Sequence, residues 1–122
     1  MEKNEFAKMV SQRTKEIAKK IVILVSGFPQ KTEYFVIGKQ LLRSATSTAA
    51  NYRAVVRARS KKEFYSKLSI TIEECDETLF WLEILSETNL INIEKIKPIM
   101  DETTEILKIL SKSRKTMSSN NE

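Results

Sequence analysis

Apolar residues recur at steps of three and four through almost the whole chain, and only short breaks interrupt them. That period puts them on one face of a helix, not on the alternating faces of a strand. The spacing predicts a first helix from about Glu5 to Ser26, with Phe6, Met9 or Val10, Ile17, Ile21 and Leu24 inward. Gly27, Phe28 and Pro29 end it, because glycine suits a left-handed cap and proline cannot continue a helix. A second helix is predicted from about Glu33 to Arg57, with Thr32 as its N-cap. Gly38, Leu42, Ala45, Ala49, Tyr52 and Val56 form its seam, small enough in places for a partner helix to come close.

The third predicted helix spans about Lys61 to Glu87, with Phe64, Leu68, Ile72, Cys75, Leu79 and Leu82 inward. Ser60 to Glu63 reads as a capping box, and Asn89 as a stop. The fourth runs from about Asn92 to Lys115, along Ile96, Ile99 or Met100, Thr103, Ile106 or Leu107, and Leu110. Pro98 requires either a start near Lys97 or a short preceding turn with a kink. One domain is expected over 1–116, with a disordered tail over 117–122.

Short links favour neighbours of opposite direction, so the fold class is all-α. The architecture expected is an antiparallel up-down-up-down four-helix bundle. The turn between the second and third helices then shares one end with the start of the first helix and the finish of the fourth.

Composition removes whole classes of chemistry. The 122 residues include two glycines, two prolines and no histidine. Without histidine there is no Ser-His-Asp or Cys-His triad and no His-containing zinc site. Isolated glycines build no phosphate-cradling loop. One cysteine, Cys75, forms no internal disulfide and fits a reducing compartment. The longest apolar run, Ile21 to Val25, is too short to cross a bilayer, and the N-terminus lacks a signal-peptide pattern. A cytoplasmic chain without membrane contact is expected.

The net charge of +5 is unevenly spread. Residues 39–67 hold eight basic residues against one acid, and 73–105 hold ten acids against two lysines. Folded as a bundle, Arg53, Arg57, Arg59, Lys61, Lys62 and Lys67 gather at one end, where Lys112, Arg114 and Lys115 arrive from the fourth helix. Such a basic pole is the footprint of a surface that meets phosphates. The candidate nucleic-acid contacts are Arg53, Arg57, Arg59, Lys61, Lys62, Lys67, Arg114 and Lys115. Charge alone leaves a second reading open, a solvated face. Tyr52, Phe64 and Tyr65 lie near the pole, but Tyr52 and Phe64 fall on core positions, so an aromatic stacking platform has weak support.

Residues facing each other across a turn near 59 have numbers that sum to about 120 in a helical hairpin. Arg43 is therefore assigned to a structural ion pair with Glu73, Asp76 or Glu77. The acidic stretch suggests no metal site, since di-iron bundles need Glu-x-x-His pairs. Nothing marks any of its carboxylates as buried and unpaired. No cofactor and no catalytic residue is nominated, so an enzyme ranks below a binding or scaffold role.

Two segments carry more apolar surface than one core needs: IVILV at 21–25 and LFWLEIL at 79–85. Ile23, Val25, Phe80, Trp81 and Ile84 are the candidate oligomer interface, at the end opposite the basic pole. A thicker core, with Trp81 over a loop, is the alternative.

Several motifs in order carry a family resemblance. They are the Phe28-Pro29 break, the Gln40–Ala45 run QLLRSA, Ala50-Asn51, the Arg57–Phe64 run RARSKKEF, and the Glu73–Leu85 stretch EECDETLFWLEIL. Together they resemble the small four helix bundle protein family, also called ribosomal-protein-like intervening-sequence proteins. That family was first noticed in intervening sequences of bacterial 23S ribosomal RNA genes. The likeness spans roughly residues 16 to 112. Where many members read A-E-G after the Asn51 equivalent, this chain reads Arg53-Ala54-Val55. The resemblance implies an antiparallel bundle that assembles as a ring, typically a homopentamer, and an association with ribosomal RNA or other nucleic acid. Related bundles serve as accessory proteins of diversity-generating retroelements and bind a reverse transcriptase, so a protein partner is the rival expectation. The resemblance brings no catalytic residues.

Overall fold

A computed structural model of the chain describes residues 2–120. Among these residues the chain forms four helices and no strand: α1 Lys3–Ser26, α2 Thr32–Val56, α3 Lys61–Glu87 and α4 Ile93–Asn120. Each helix packs on the next in chain order, and α1 also meets α4 along the thinnest of the four seams.

The helix ends follow from local chemistry. Ser60 caps α3, its Oγ accepting from Glu63 N–H at 3.0 Å. Asn92 Oδ1 accepts from Glu94 N–H at 3.0 Å at the entry to α4. Asn89 leaves α3 in the left-handed region, at φ 58°, which asparagine tolerates better than most side chains.

Three expectations change here. Gly27 is not left-handed: it sits at φ −96° and ψ 5°. The last turn of α1 instead tightens, with Gly27 N–H donating to Leu24 O and Phe28 N–H to Val25 O. Thr32 is the first helical residue of α2 rather than its cap; Lys31 holds that place and makes no side-chain capping bond. Pro98 lies inside α4, which begins at Ile93 without a separate turn. Its ring removes a backbone donor only two turns into the helix, where the facing carbonyl belongs to exposed Glu94. The helix runs to Asn120, and residues 121 and 122 of the expected 117–122 tail lie outside the described residues.

One core runs through all four helices, from Val10, Ile17 and Ile21 through Leu41, Leu68, Leu82 and Leu85 to Ile96, Ile106 and Leu110. The inner face of α2 keeps Gly38, Ala45 and Tyr52 of the predicted seam but is rotated part of the way from it. Ile37, Leu41, Ser44, Thr48 and Val55 are buried, whereas Leu42 and Ala49 are half-buried and Val56 is exposed. The rotation brings hydroxyls into the core. Thr14, Ser44, Thr48, Thr71, Thr78 and Thr103 are all buried, and each bonds a carbonyl three or four residues back in its own helix. Among the described residues no buried side-chain polar atom lacks a partner. A hydroxyl paired in this way costs little to bury.

Close approach explains Gly38. A Cβ there would stand 3.0 Å from Val25 Cγ1 and 3.2 Å from Phe28 Cδ2. The α2–α3 pairing has a clear register. Tyr34 OH donates to Leu90 O at 2.6 Å, while further along α2 Arg43 meets Glu77 and Ser44 meets Thr78. From Tyr34 to Ser44 the partner number falls from 90 to 78.

Candidate nucleic-acid interface

The link from α2 to α3 is four residues long and held at both ends. Arg57 caps α2, its N–H donating to Arg53 O at 3.3 Å. Arg59 N–H donates to the Glu63 carboxylate at 3.4 Å, so Glu63 reaches back past the Ser60 cap to the residue before it. Steps of three and four put Ala50, Arg53, Ala54 and Arg57 on one outer face of α2. With Arg59 and Glu63 they line an open cleft of about 380 Å³. The two alanine methyls leave the hollow, and the longer side chains form its walls.

Arg53, Arg57 and Arg59 are exposed, and among the described residues none of them makes an ion pair. They are the candidate contacts that share one concave surface. Lys61 and Lys62 are exposed on the first turn of α3, outside the cleft lining. Lys67 is half-buried a turn further on. On α4, Arg114 is half-buried and Lys115 exposed, and neither lines the cleft. Tyr52 is buried, and desolvation pushes its phenol up to about 12. Phe64 packs on the core, so neither ring is free to stack on a base.

Arg43 does not pair as predicted with Glu73 or Asp76, which stay exposed. Its Nη1 donates to Glu74 at 2.9 Å and its Nη2 to Glu77. The α3 face toward α2 carries Glu74, Glu77, Thr78 and Trp81, at helical steps that leave Glu73 and Asp76 turned away. The Arg43 hydrogen bond holds the Glu77 carboxyl below its ordinary value. Cys75 is buried, and desolvation raises its thiol to about 12, which removes the thiolate that reactivity needs. Among the described residues no group of three or more His, Cys, Asp or Glu could hold a metal ion.

The apolar candidates divide. Ile23 is 72% exposed and Phe80 47%. Val25, Trp81 and Ile84 are partly buried against the chain's own core. Trp81 Nε1 donates to Glu77 at 3.1 Å, and its ring meets Phe80 edge to face at 4.9 Å. A groove of about 700 Å³ runs past Val25, Phe28, Phe35 and Leu42, with Lys31 and Lys39 in its lining. Phe35, 70% exposed, and Val36 were not foreseen. Phe35 lies three residues before Gly38 and so reads as a continuation of the seam. Only the rotation of α2 turns it outward.

Four helices sharing one core make this chain a four-helix bundle protein. A model of the 23S rRNA-intervening sequence protein family matches residues 8–112, and the chain belongs to that family. A solved crystal structure is similar over most of its length: a protein of unknown function from the S23 ribosomal protein family of Bacteroides thetaiotaomicron. The TM-score is 0.82 and the identity 38%, over 89% of this chain and 97% of the other. No curated protein matches the sequence. Among the described residues no helix is long and apolar enough to cross a membrane.

Proposed function

We propose that this chain is a non-enzymatic, homo-oligomeric helical bundle that acts in the cytoplasm and binds structured RNA through a basic end. The observation that carries the reading is the set of three arginines without ion-pair partners in one cleft, in a family tied by name to 23S rRNA intervening sequences. The opposed numbering of the α2–α3 contacts supports an antiparallel arrangement. In that arrangement α4 delivers Lys112, Arg114 and Lys115 toward the α2–α3 link, and the pole gains charge from a third stretch. Arginine and lysine there would neutralise phosphates without reading sequence. Exposed Ile23, Phe35 and Phe80 support self-association, and the family resemblance suggests a five-membered ring.

RNA affinity of the full chain across a salt series tests this. Binding should weaken as salt rises, with a log–log slope of roughly −0.7 to −0.9 per phosphate contact. Replacing Arg57, Arg59, Lys61 and Lys62 by glutamine should weaken every RNA alike. No binding at low salt, or a flat response, rejects the reading. The apolar groove favours a second reading, an accessory scaffold for a protein partner with an acidic, apolar surface. A partner that stays bound after nuclease digestion would favour that reading.

A further inference from the structure

We infer that the cleft between the end of α2 and the first turn of α3 seats a single phosphodiester unit, gripped by Arg53, Arg57 and Arg59 and restrained by Glu63. The inference rests on the nucleic-acid reading above and gives that surface a specific ligand and a specific brake.

Three guanidinium groups with no ion-pair partner among the described residues line one hollow with a single carboxylate. Guanidinium forks match the oxygens of a phosphate group, and a charge-assisted bond to phosphate is stronger than a neutral one. At about 380 Å³ the hollow is larger than a lone phosphate needs, and it is open. A chain can therefore lie across it with one phosphate inside and its flanking sugars at the rim. The apolar part of the lining is two alanine methyls, and no aromatic ring faces in, so the site holds backbone and reads no base.

Glu63 has two roles there. Its carboxylate receives the Arg59 N–H and sets that residue at the rim. It also puts negative charge beside the seat of an anion, which weakens binding. Glutamine keeps the capping-box geometry and removes the charge. Glu63→Gln should therefore bind a phosphodiester several-fold more tightly than the native chain.

The test uses the full chain with two probes, inorganic phosphate and a ribodinucleotide, read by NMR at the arginine Nε–H groups. The expected result is a joint shift of Arg53, Arg57 and Arg59 on adding the dinucleotide, with inorganic phosphate, which carries more charge, as the reference for a purely electrostatic response. Arg53→Gln and Arg57→Gln should each weaken dinucleotide binding at least fivefold, and the Lys61→Gln/Lys62→Gln double variant should barely change it. All these residues are exposed, so helical circular dichroism should be unchanged in the variants. If long RNA binds but the arginines respond no more than the lysines, the seat is wrong and the basic-end reading survives. If the dinucleotide shifts the arginines but long RNA does not bind, the functional reading falls and the seat survives. No joint arginine shift with the dinucleotide, or weaker binding by Glu63→Gln, overturns the phosphodiester assignment.

Discussion

Arg13 of α1 grips Glu102 of α4 through two hydrogen bonds, 2.9 Å from Nε and 2.6 Å from Nη2. Glu105 adds a third contact at 3.1 Å from Nη2. This is the seam with the least backbone contact, so one forked ion pair does much of the closing of the bundle. Both principal partners are about three-quarters covered, at 25% and 30% side-chain exposure. That places the pair between a surface bridge and a buried one.

Arg13→Gln should therefore cost about 1–2 kcal/mol, more than a typical exposed pair. Arg13→Lys should recover only part of this, because an ammonium cannot repeat the fork. Urea midpoints at neutral pH check both. A loss below a few tenths for Arg13→Gln would mean that apolar packing alone holds the seam.

Stability should also fall in acid, with a known sign. The hydrogen bonds from Arg13 and Arg43 hold Glu102 and Glu77 below their ordinary value of 4.5. A carboxylate lowered by folding stabilises the native state fully above its unfolded value, and that stability is lost as the pH falls through the folded value. Urea midpoints should be level at pH 6 and drop from about pH 4.5 downward. The drop should be shallower in Glu102→Gln. An unchanged acid limb in that variant would remove Glu102 from the account.

Two glycines should respond in opposite directions. Gly38→Ala would gain helix propensity of about 1 kcal/mol but press a methyl onto Val25 and Phe28. Overpacking costs about 1–3 kcal/mol, so a net loss of about 1 kcal/mol is expected. At Gly27 a Cβ would make an ordinary van der Waals contact with Leu24 O at 3.7 Å, and the φ is one that alanine adopts freely. Gly27→Ala should stabilise by about 0.4–1 kcal/mol, chiefly by restricting the unfolded chain. Thermal melts of the two variants decide the matter.

Inside the α2–α3 seam, Thr78 Oγ1 lies 2.9 Å from Ser44 Oγ, with both residues buried. Thr78→Val should cost about 1 kcal/mol by leaving the serine hydroxyl one partner short. Adding Ser44→Ala removes both polar groups, so the double variant should lose less than the two single losses combined. Strict additivity in the cycle would show that each hydroxyl is satisfied by its own helix alone.

What could be read from the sequence follows from what each signal measures. The four helices were legible because apolar spacing reports which face is inward, and the Ser60–Glu63 cap because it is a local bond. Half of the α2 seam, Gly38, Ala45 and Tyr52, was read rightly and half a residue off, since Ser44 and Thr48 are polar in type yet satisfied by carbonyls in their own turn. Arg13 and Glu102 lie 89 residues apart, and no local pattern links them. Of the candidate site, the arginines stood out by charge. The hollow depends on Ala50 and Ala54 being small and on Glu63 reaching back, and those are properties of shape.

The apolar end is the place to test assembly. Ile23 is 72% exposed and Phe80 47%, and half-buried Trp81, the chain's one tryptophan, packs edge to face on Phe80. If sister subunits cover these residues, a carboxylate there must be buried without a partner, at a cost of several kcal/mol. Ile23→Glu and Phe80→Glu should then each yield a 14.1 kDa particle in sedimentation, with helical content unchanged. The native chain should sediment as a multiple of that mass. On dilution its tryptophan emission should move to the red as Phe80 and Trp81 gain water. The Ile23→Glu variant, already a single chain, should show no such shift. A native chain that sediments at 14.1 kDa would rule out self-association, and variants that keep the native oligomer would move the contact to another face, with the groove beside Phe35 the next to test.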